Sequence, residues 1–207
     1  MTQTLSEDQF FALNQIFSEM QNGMLALNAL PNLTVTFYGG AGVLKTQETY
    51  TQVFETAKFF ATNGWGVISG GGPGVMAASI EGAKSGGGKS VAFRISLDNE
   101  IPLFTADIDL LFNHFTARKY ALRQSDVLIY FPGGLGTLDE LMENLTLMKT
   151  KKYPSKPIFL FDKSFWTGYI DWFDTILVQR GLVKKDFLEL FTIVDTVEEI
   201  KQKLSLI

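Results

Sequence analysis

The amino-acid sequence predicts an α/β protein: a doubly wound parallel sheet with helices packed on both faces. Short β-rich runs alternate with helical stretches along most of the chain. Those runs are nearly continuous apolar segments, the pattern of strands buried on both faces. Two glycine-rich segments follow strands and open helices, at the strand ends where such sheets bind ligands.

Taken in order, Ser6 to about Leu30 carries Phe10, Phe11, Leu13, Ile16, Phe17, Met20, Met24 and Leu27 at steps that suit an amphipathic helix. Ser6 followed by Asp8 is its expected start, and Pro31-Asn32 breaks it. This helix is expected to pack on the main domain or on a partner chain. Leu33–Tyr38 reads as the first strand, followed by Gly39-Gly40-Ala41-Gly42 and a helix near Thr46–Asn63. Trp65–Ser69 is the second strand, ending in Gly70-Gly71-Gly72-Pro73-Gly74 before a helix near Val75–Ser85. Lys89–Ile95 is the third, Ser96–Thr105 a surface loop, and Ile108–Phe112 the fourth. A helix near Ala117–Gln124 leads to the fifth strand, Asp126–Phe131, and then to a helix over Leu138–Thr150. Pro157–Phe161 is the sixth strand, and helices near Phe165–Gln179 and Val197–Leu204 flank a last one around Phe191–Val194. The 207 residues, 46% of hydrophobic type, suffice for one nucleotide-binding domain over 1–207 with the first helix at about 6–30.

Composition narrows the function. With 22 acidic residues against 18 Lys and Arg, the formal charge is -4, which lacks the basic footprint of a general nucleic-acid binder. The chain has no cysteine, so disulfides, thiolate zinc sites and cysteine nucleophiles are excluded. Its first residues do not read as a secretory signal, and no apolar run reaches the roughly 18–20 residues needed to span a bilayer. A cytoplasmic protein with no membrane partner is expected.

The segment Ser69–Gly74 has glycines that permit positive φ and close backbone approach. The helix start behind it supplies unpaired N–H groups that favour a phosphate. A tight strand–helix turn explains the same residues. Pro132-Gly133-Gly134-Leu135-Gly136-Thr137 has the same placement. Thr137 can donate to a phosphate oxygen or cap the following helix. Glu140, three residues on, either closes a capping box with Thr137 or stands as a carboxylate at the mouth of a phosphate site. Asp139 points roughly 100° away on a helix, so it need not share that role. Neither loop is a Walker P-loop, because the Lys-Ser/Thr pair is missing, and Val75 spoils a GxGxxG fingerprint. A mononucleotide therefore fits better than a dinucleotide. Arg118-Lys119, with Arg123 five residues after Arg118, is either a solvated helix face or a cationic side turned toward the nucleotide. The single histidine, His114, is expected to be structural or peripheral.

Together, SGGGPGVM at Ser69–Met76, ARK at Ala117–Lys119 and PGGLGTLDE at Pro132–Glu140 resemble the Lonely Guy (LOG) family, formerly labelled possible lysine decarboxylases. The similarity covers roughly residues 33–200. It implies a Rossmann-like fold and phosphoribohydrolase activity: hydrolysis of the N-glycosidic bond of a nucleoside 5′-monophosphate, such as AMP or a cytokinin riboside monophosphate, to free base and ribose 5-phosphate. By motif, the resemblance makes Arg118 and Glu140 the catalytic pair. It gives the phosphate to Gly133, Gly134, Gly136 and Thr137. It places Gly71, Gly72, Gly74 and Met76 along the nucleotide and leaves Lys119 to contribute positive charge. It implies no cofactor and no metal, and a homodimer or larger homo-oligomer with the site near the subunit interface. The chain departs from the family pattern at Gly40, where serine is common, at Thr116, where the plant-like branch often has histidine, and at Ala77, where glutamate is frequent. A non-catalytic nucleotide or cofactor carrier on the same scaffold is the alternative, since fold does not fix function. A pyridoxal-dependent decarboxylase would need a Schiff-base lysine in a dedicated site, and no His-Lys dyad of that kind is present.

Overall fold

The structure, a computed structural model, describes residues 4–97 and 106–205. Most of the surface loop expected over Ser96–Thr105 thus lies outside the described residues. Seven strands form one parallel sheet: β1 (Thr34–Tyr38), β2 (Gly66–Ser69), β3 (Ser90–Ile95), β4 (Ile108–Phe112), β5 (Val127–Tyr130), β6 (Ile158–Phe161) and β7 (Thr192–Val194). Their order is β4-β3-β2-β1-β5-β6-β7, every pairing parallel. This is the doubly wound, Rossmann-like arrangement the sequence predicts. The chain reverses its direction of travel between β1 and β5, so a crevice opens beyond their C-terminal ends.

The period of two along each strand divides the core into two layers. Val35, Phe37, Val67, Val127, Ile129, Phe131, Phe159 and Phe161 face one side. There they meet α2 (Glu48–Thr62), α3 (Val75–Ser85) and α7 (Val197–Leu204) through Val53, Phe60, Ala78 and Ile200. Tyr38, Ile68, Leu128, Tyr130, Ile158 and Leu160 face the other. They are covered by α4 (Phe115–Leu122), α5 (Leu135–Lys149) and α6 (Lys163–Trp172) through Ala117, Leu122, Leu141, Leu145 and Trp166. On this face α1 (Glu7–Leu27) packs over α4 through Ile16, Met20 and the buried Gly23.

Ser6 caps α1 and forms a reciprocal capping box with Gln9, and Thr196 and Glu199 do the same for α7. Three expectations are corrected. The helix after the second glycine loop begins at Leu135, not Leu138, with Gly134 as its cap residue. Thr137 and Glu140 both lie inside it, so no Thr137–Glu140 capping box forms. The helix expected to end at Gln179 is α-helical only to Trp172 and continues as a π-helical stretch, Phe173–Val178. A 3-10 turn, Lys185–Leu190, was unexpected. It carries Phe187 onto the stacked ring of Phe173.

Candidate active site

Three strand-to-helix connections meet at the crevice. Gly39-Gly40-Ala41 leaves β1, Gly70–Gly74 leaves β2, and Pro132–Gly134 leaves β5. They are tied by backbone bonds: Gly40 N donates to the Pro132 carbonyl (2.9 Å), and Val75 N donates to the Gly40 carbonyl (3.1 Å). Between them lies a cleft of about 300 Å³ lined by Gly40, Gly72, Met76, Arg118, Gly134, Gly136, Thr137 and Glu140, among others.

Arg118 is 7% exposed. Its Nε donates to the Phe93 carbonyl within β3 (2.6 Å), Nη2 to the Gly70 carbonyl (3.4 Å), and Nη1 to Glu140 Oε1 (3.2 Å). One fork therefore ties β3, the β2 loop and α5 together. Arginine suits this because its planar donors point in fixed, divergent directions. Burial pushes the Glu140 carboxyl up to about 7, against the downward pull of Arg118, and Asp139 adds repulsion. Beneath this pair, Tyr38 and Tyr130 stack at 4.5 Å as register partners on β1 and β5. Burial raises both phenols far above their ordinary range, so they stay neutral. Asn144, one turn after Glu140, donates Nδ2 to Tyr130 Oη (2.8 Å).

A second row of charges lies behind the first. Lys119 Nζ pairs with Asp139 (2.9 Å) and Glu143 (2.8 Å), and Arg123 Nη1 pairs with Glu143 (2.6 Å). Burial alone would lower Lys119, but the two carboxylates hold it above its ordinary value. Lys119 thus stands beside the cleft without being one of its lining residues. Asp139 does line the cleft while bonding Lys119, because the cleft wraps the first turns of α5. The Arg118-Lys119 pair is accordingly split, with Arg118 buried in the cleft and Lys119 in the outer row.

The two loops differ in what their glycines face. A Cβ on Gly70 would sit 2.2 Å from Arg118 Nη2, one on Gly71 2.6 Å from Arg94 Cγ, and one on Gly74 2.3 Å from the Gly40 carbonyl oxygen. Gly133 is similarly closed by Thr137 Oγ1 (2.2 Å). Gly134 and Gly136 have no described atom within 4 Å of that position, and both line the cleft. At the α5 start, the cap residue Gly134 offers no side chain, so no side-chain cap takes up the first-turn amides, and Gly134, Gly136 and Thr137 around them line the cleft. At the α3 start, the Val75 amide is already taken by Gly40. Gly71, Gly74 and Gly133 shape the loops from behind the cleft wall rather than lining it.

Ile95, Leu97 and Phe115 also line the cleft and form an apolar side that sequence reasoning did not single out. Ile95 was legible as the last residue of a strand at the ligand edge; Phe115 and Leu97 carried no motif. The described lining residues include no lysine, and Lys119 is committed to two carboxylates, so the residues present do not fit a pyridoxal Schiff base. Among the described residues, no group of three His, Cys, Asp or Glu side chains is placed to hold a metal ion.

The family model described as "Possible lysine decarboxylase" matches residues 76–204. The chain belongs to this family, the Lonely Guy family. A cytokinin riboside 5′-monophosphate phosphoribohydrolase of Mycobacterium tuberculosis is 29% identical over 150 residues, 70% of this chain and 79% of that protein. An uncharacterized protein of Archaeoglobus fulgidus is 37% identical over 99 residues, 46% of this chain and 63% of its own length. The molybdenum cofactor binding protein of Rippkaea orientalis superimposes with a TM-score of 0.62 at 20% identity, over 85% of this chain and 96% of that one. At that identity the likeness shows the fold alone.

Proposed function

We propose that the protein hydrolyses the N-glycosidic bond of a nucleoside 5′-monophosphate of the AMP or cytokinin riboside type, releasing free base and ribose 5-phosphate. One observation carries this reading: Glu140, raised to about 7, held 3.2 Å from a buried arginine on the wall of a glycine-lined cleft. Family membership and the named M. tuberculosis relative support it.

The first-turn amides of α5, opened by Gly134 and Gly136, take the 5′-phosphate, with the Thr137 hydroxyl as a further donor. The sugar then lies against Glu140, and the base extends toward Met76, Ile95 and Phe115. As the C1′–N bond breaks, positive charge grows at C1′, and the ionised Glu140 carboxylate stabilises it and orients the attacking water. Water oxygen bonds to C1′, the bonding pair leaves with the base nitrogen, and the water proton ends on the base. Arg118 fixes the carboxylate's position and keeps a share of it ionised at neutral pH.

Incubation with AMP and isopentenyladenosine monophosphate, followed by chromatography for free base, tests the reading. Release of adenine or isopentenyladenine with ribose 5-phosphate is expected. Nucleotide binding with no base released would overturn it in favour of a carrier.

A second copy of the chain is the partner we assign to α1, in a cytoplasmic homodimer. Phe10, Leu13 and Phe17 share one helix face and are each more than half exposed, as are Leu5, Phe11 and Leu25. These six side chains expose roughly 700 Å² on the usual aromatic and aliphatic areas, near the ~800 Å² each partner gives a standard interface. Among the described residues no helix is long and apolar enough to cross a membrane.

A further inference from the structure

The N-terminal helix α1 precedes the stretch matched by the family model. Its packing is specific. At Gly23 the two helices approach so closely that an added Cβ would lie 2.8 Å from Ala121 Cβ and 3.3 Å from the Phe112 ring. One turn earlier, Glu19 points its carboxylate at the entry to α4. Oε1 accepts from Asn113 N and Asn113 Nδ2, both at 3.0 Å. Oε2 accepts from His114 N (3.1 Å) and pairs with His114 Nδ1 (3.2 Å). The Glu19 side chain is 12% exposed.

This arrangement answers a need in α4. The helix has eight residues, too few to be stable alone. Its cap residue, His114, makes no side-chain bond to the helix's own amides. A carboxylate from another helix therefore fixes the backbone that enters α4 and puts negative charge at its positive end. Arg118 follows directly, its amide bonded to the His114 carbonyl at 3.1 Å. Any tilt of that first turn moves the guanidinium away from Phe93, Gly70 and Glu140.

We propose that Glu19 is a positioning residue: an N-terminal clamp supplied across 95 residues of sequence that sets Arg118 in the cleft. Burial draws the Glu19 carboxyl upward, yet the bonds from Asn113 and His114 more than offset this and leave it below its ordinary range. That ordering is what a clamp needs, since it keeps Glu19 ionised wherever the protein is folded near neutral pH.

The proposal rests on the hydrolase reading only for its kinetic arm, so the test has a second arm. In the full-length protein, the buried Arg118 Nε–H should give a slowly exchanging resonance. Glu19→Ala should speed its exchange at least tenfold, while the amides of β1 and β5 stay within twofold. In the kinetic arm, Glu19→Ala should lower kcat for AMP about tenfold with KM little changed, and cause no further loss when Arg118 is already lysine. Unchanged Arg118 Nε–H exchange would overturn the proposal whether or not the protein is a hydrolase. So would equal losses in both arginine and lysine backgrounds, which mark a general structural role. If Glu19→Ala does not fold, Asn113→Ala removes one bond of the same clamp and should move the Arg118 signal in the same direction, by about threefold. No movement in that variant would likewise overturn the proposal.

Discussion

Two glycine-rich segments flank the cleft, and apart from Gly133, which Thr137 closes, their glycines face different things. In the Gly70–Gly74 loop the missing side chains make room for protein: Arg118 beside Gly70, Arg94 beside Gly71, a carbonyl beside Gly74. In the loop after β5, Gly134 and Gly136 make room for something else, because nothing described approaches their open faces. The backbone tells the same story. Gly71 and Gly74 adopt φ of 72° and 66°, which L side chains rarely take. Gly136 is an ordinary helical residue whose glycine costs stability. One loop is built to hold the arginine; the other is built to be approached.

The largest expected effect lies on the wall the two loops share. Glu140→Gln keeps the size and an acceptor oxygen for Arg118 but loses the charge to which the proposed hydrolysis assigns transition-state stabilisation. A fall in kcat of about 10³ is expected, within the usual range for such a group, with KM changed less than threefold. In the unaltered protein the rate should climb as pH rises through about 7, where Glu140 loses its proton. The linkage sign follows from the same shift. The folded pKa lies above the unfolded value, so the native state holds the proton more tightly. This group's contribution to stability therefore declines as pH rises from about 4.5 to 7. Activity that survives Glu140→Gln, or a rate flat across pH 6–8, would remove Glu140 from the chemistry.

The next effect breaks the protein-filled loop. Gly74→Ala forces a side chain into positive φ and onto the Gly40 carbonyl oxygen. Strain and overpacking together cost about 3 kcal/mol. That corresponds to a Tm lower by roughly 9 °C for a chain of this size. A Tm within 2 °C of the parent in a thermal melt would mean that this loop is looser than its contacts indicate.

Part of this contrast is legible in the sequence and part is not. The parallel sheet is, because Val127-Leu128-Ile129-Tyr130 and its counterparts are apolar on both faces and leave no reading but burial. The start of α5 is not. Leu135-Gly136-Thr137 reads as a loop by propensity, and only the packing of Leu141 and Leu145 on the sheet draws the helix back to Leu135. Arg118 and Glu140 were found through motif resemblance, yet their contact spans 22 residues and follows from how α4 and α5 pack. Glu19 lay beyond any local signal. A glutamate on an amphipathic helix looks like a solvated face until α1 is laid against Asn113 and His114. Helical spacing separates Asp139 from Glu140, and Asp139 is indeed paired with Lys119 rather than Arg118, although a cleft that wraps a helix end is lined by both carboxylates.

A subtler substitution sharpens the comparison, because its two consequences have opposite signs. Gly136→Ala places a methyl where no described atom stands, in the second position of a helix. Alanine is the better helix former by about 0.5 kcal/mol near a helix end, so Tm should rise by roughly 1–2 °C. The same methyl enters the space we assign to the phosphate, and AMP affinity should drop about tenfold, or ~1.4 kcal/mol. Calorimetry on one protein preparation measures both. Unchanged affinity with the raised Tm would show that the α5 start is not where the phosphate lies, and the role of the open loop would have to be reassigned.

The smallest effect concerns the third connection. Gly40 braces both loops through its bonds to Pro132 and Val75. A Cβ there would lie 3.2 Å from the Pro132 carbonyl oxygen and 3.4 Å from Gly133 Cα, tight but within what the loop can yield. Gly40→Ser should therefore change stability by less than about 1 kcal/mol. Its Cβ would point toward the Pro132–Gly133 side of the cleft, which Thr137 closes, and its hydroxyl would add a polar partner there, away from the apolar side formed by Ile95 and Phe115. The expected result is a several-fold rise in kcat/KM shared equally by AMP and isopentenyladenosine monophosphate. A change confined to one of the two would instead put Gly40 beside the base, and would turn the nucleotide end for end between the two loops.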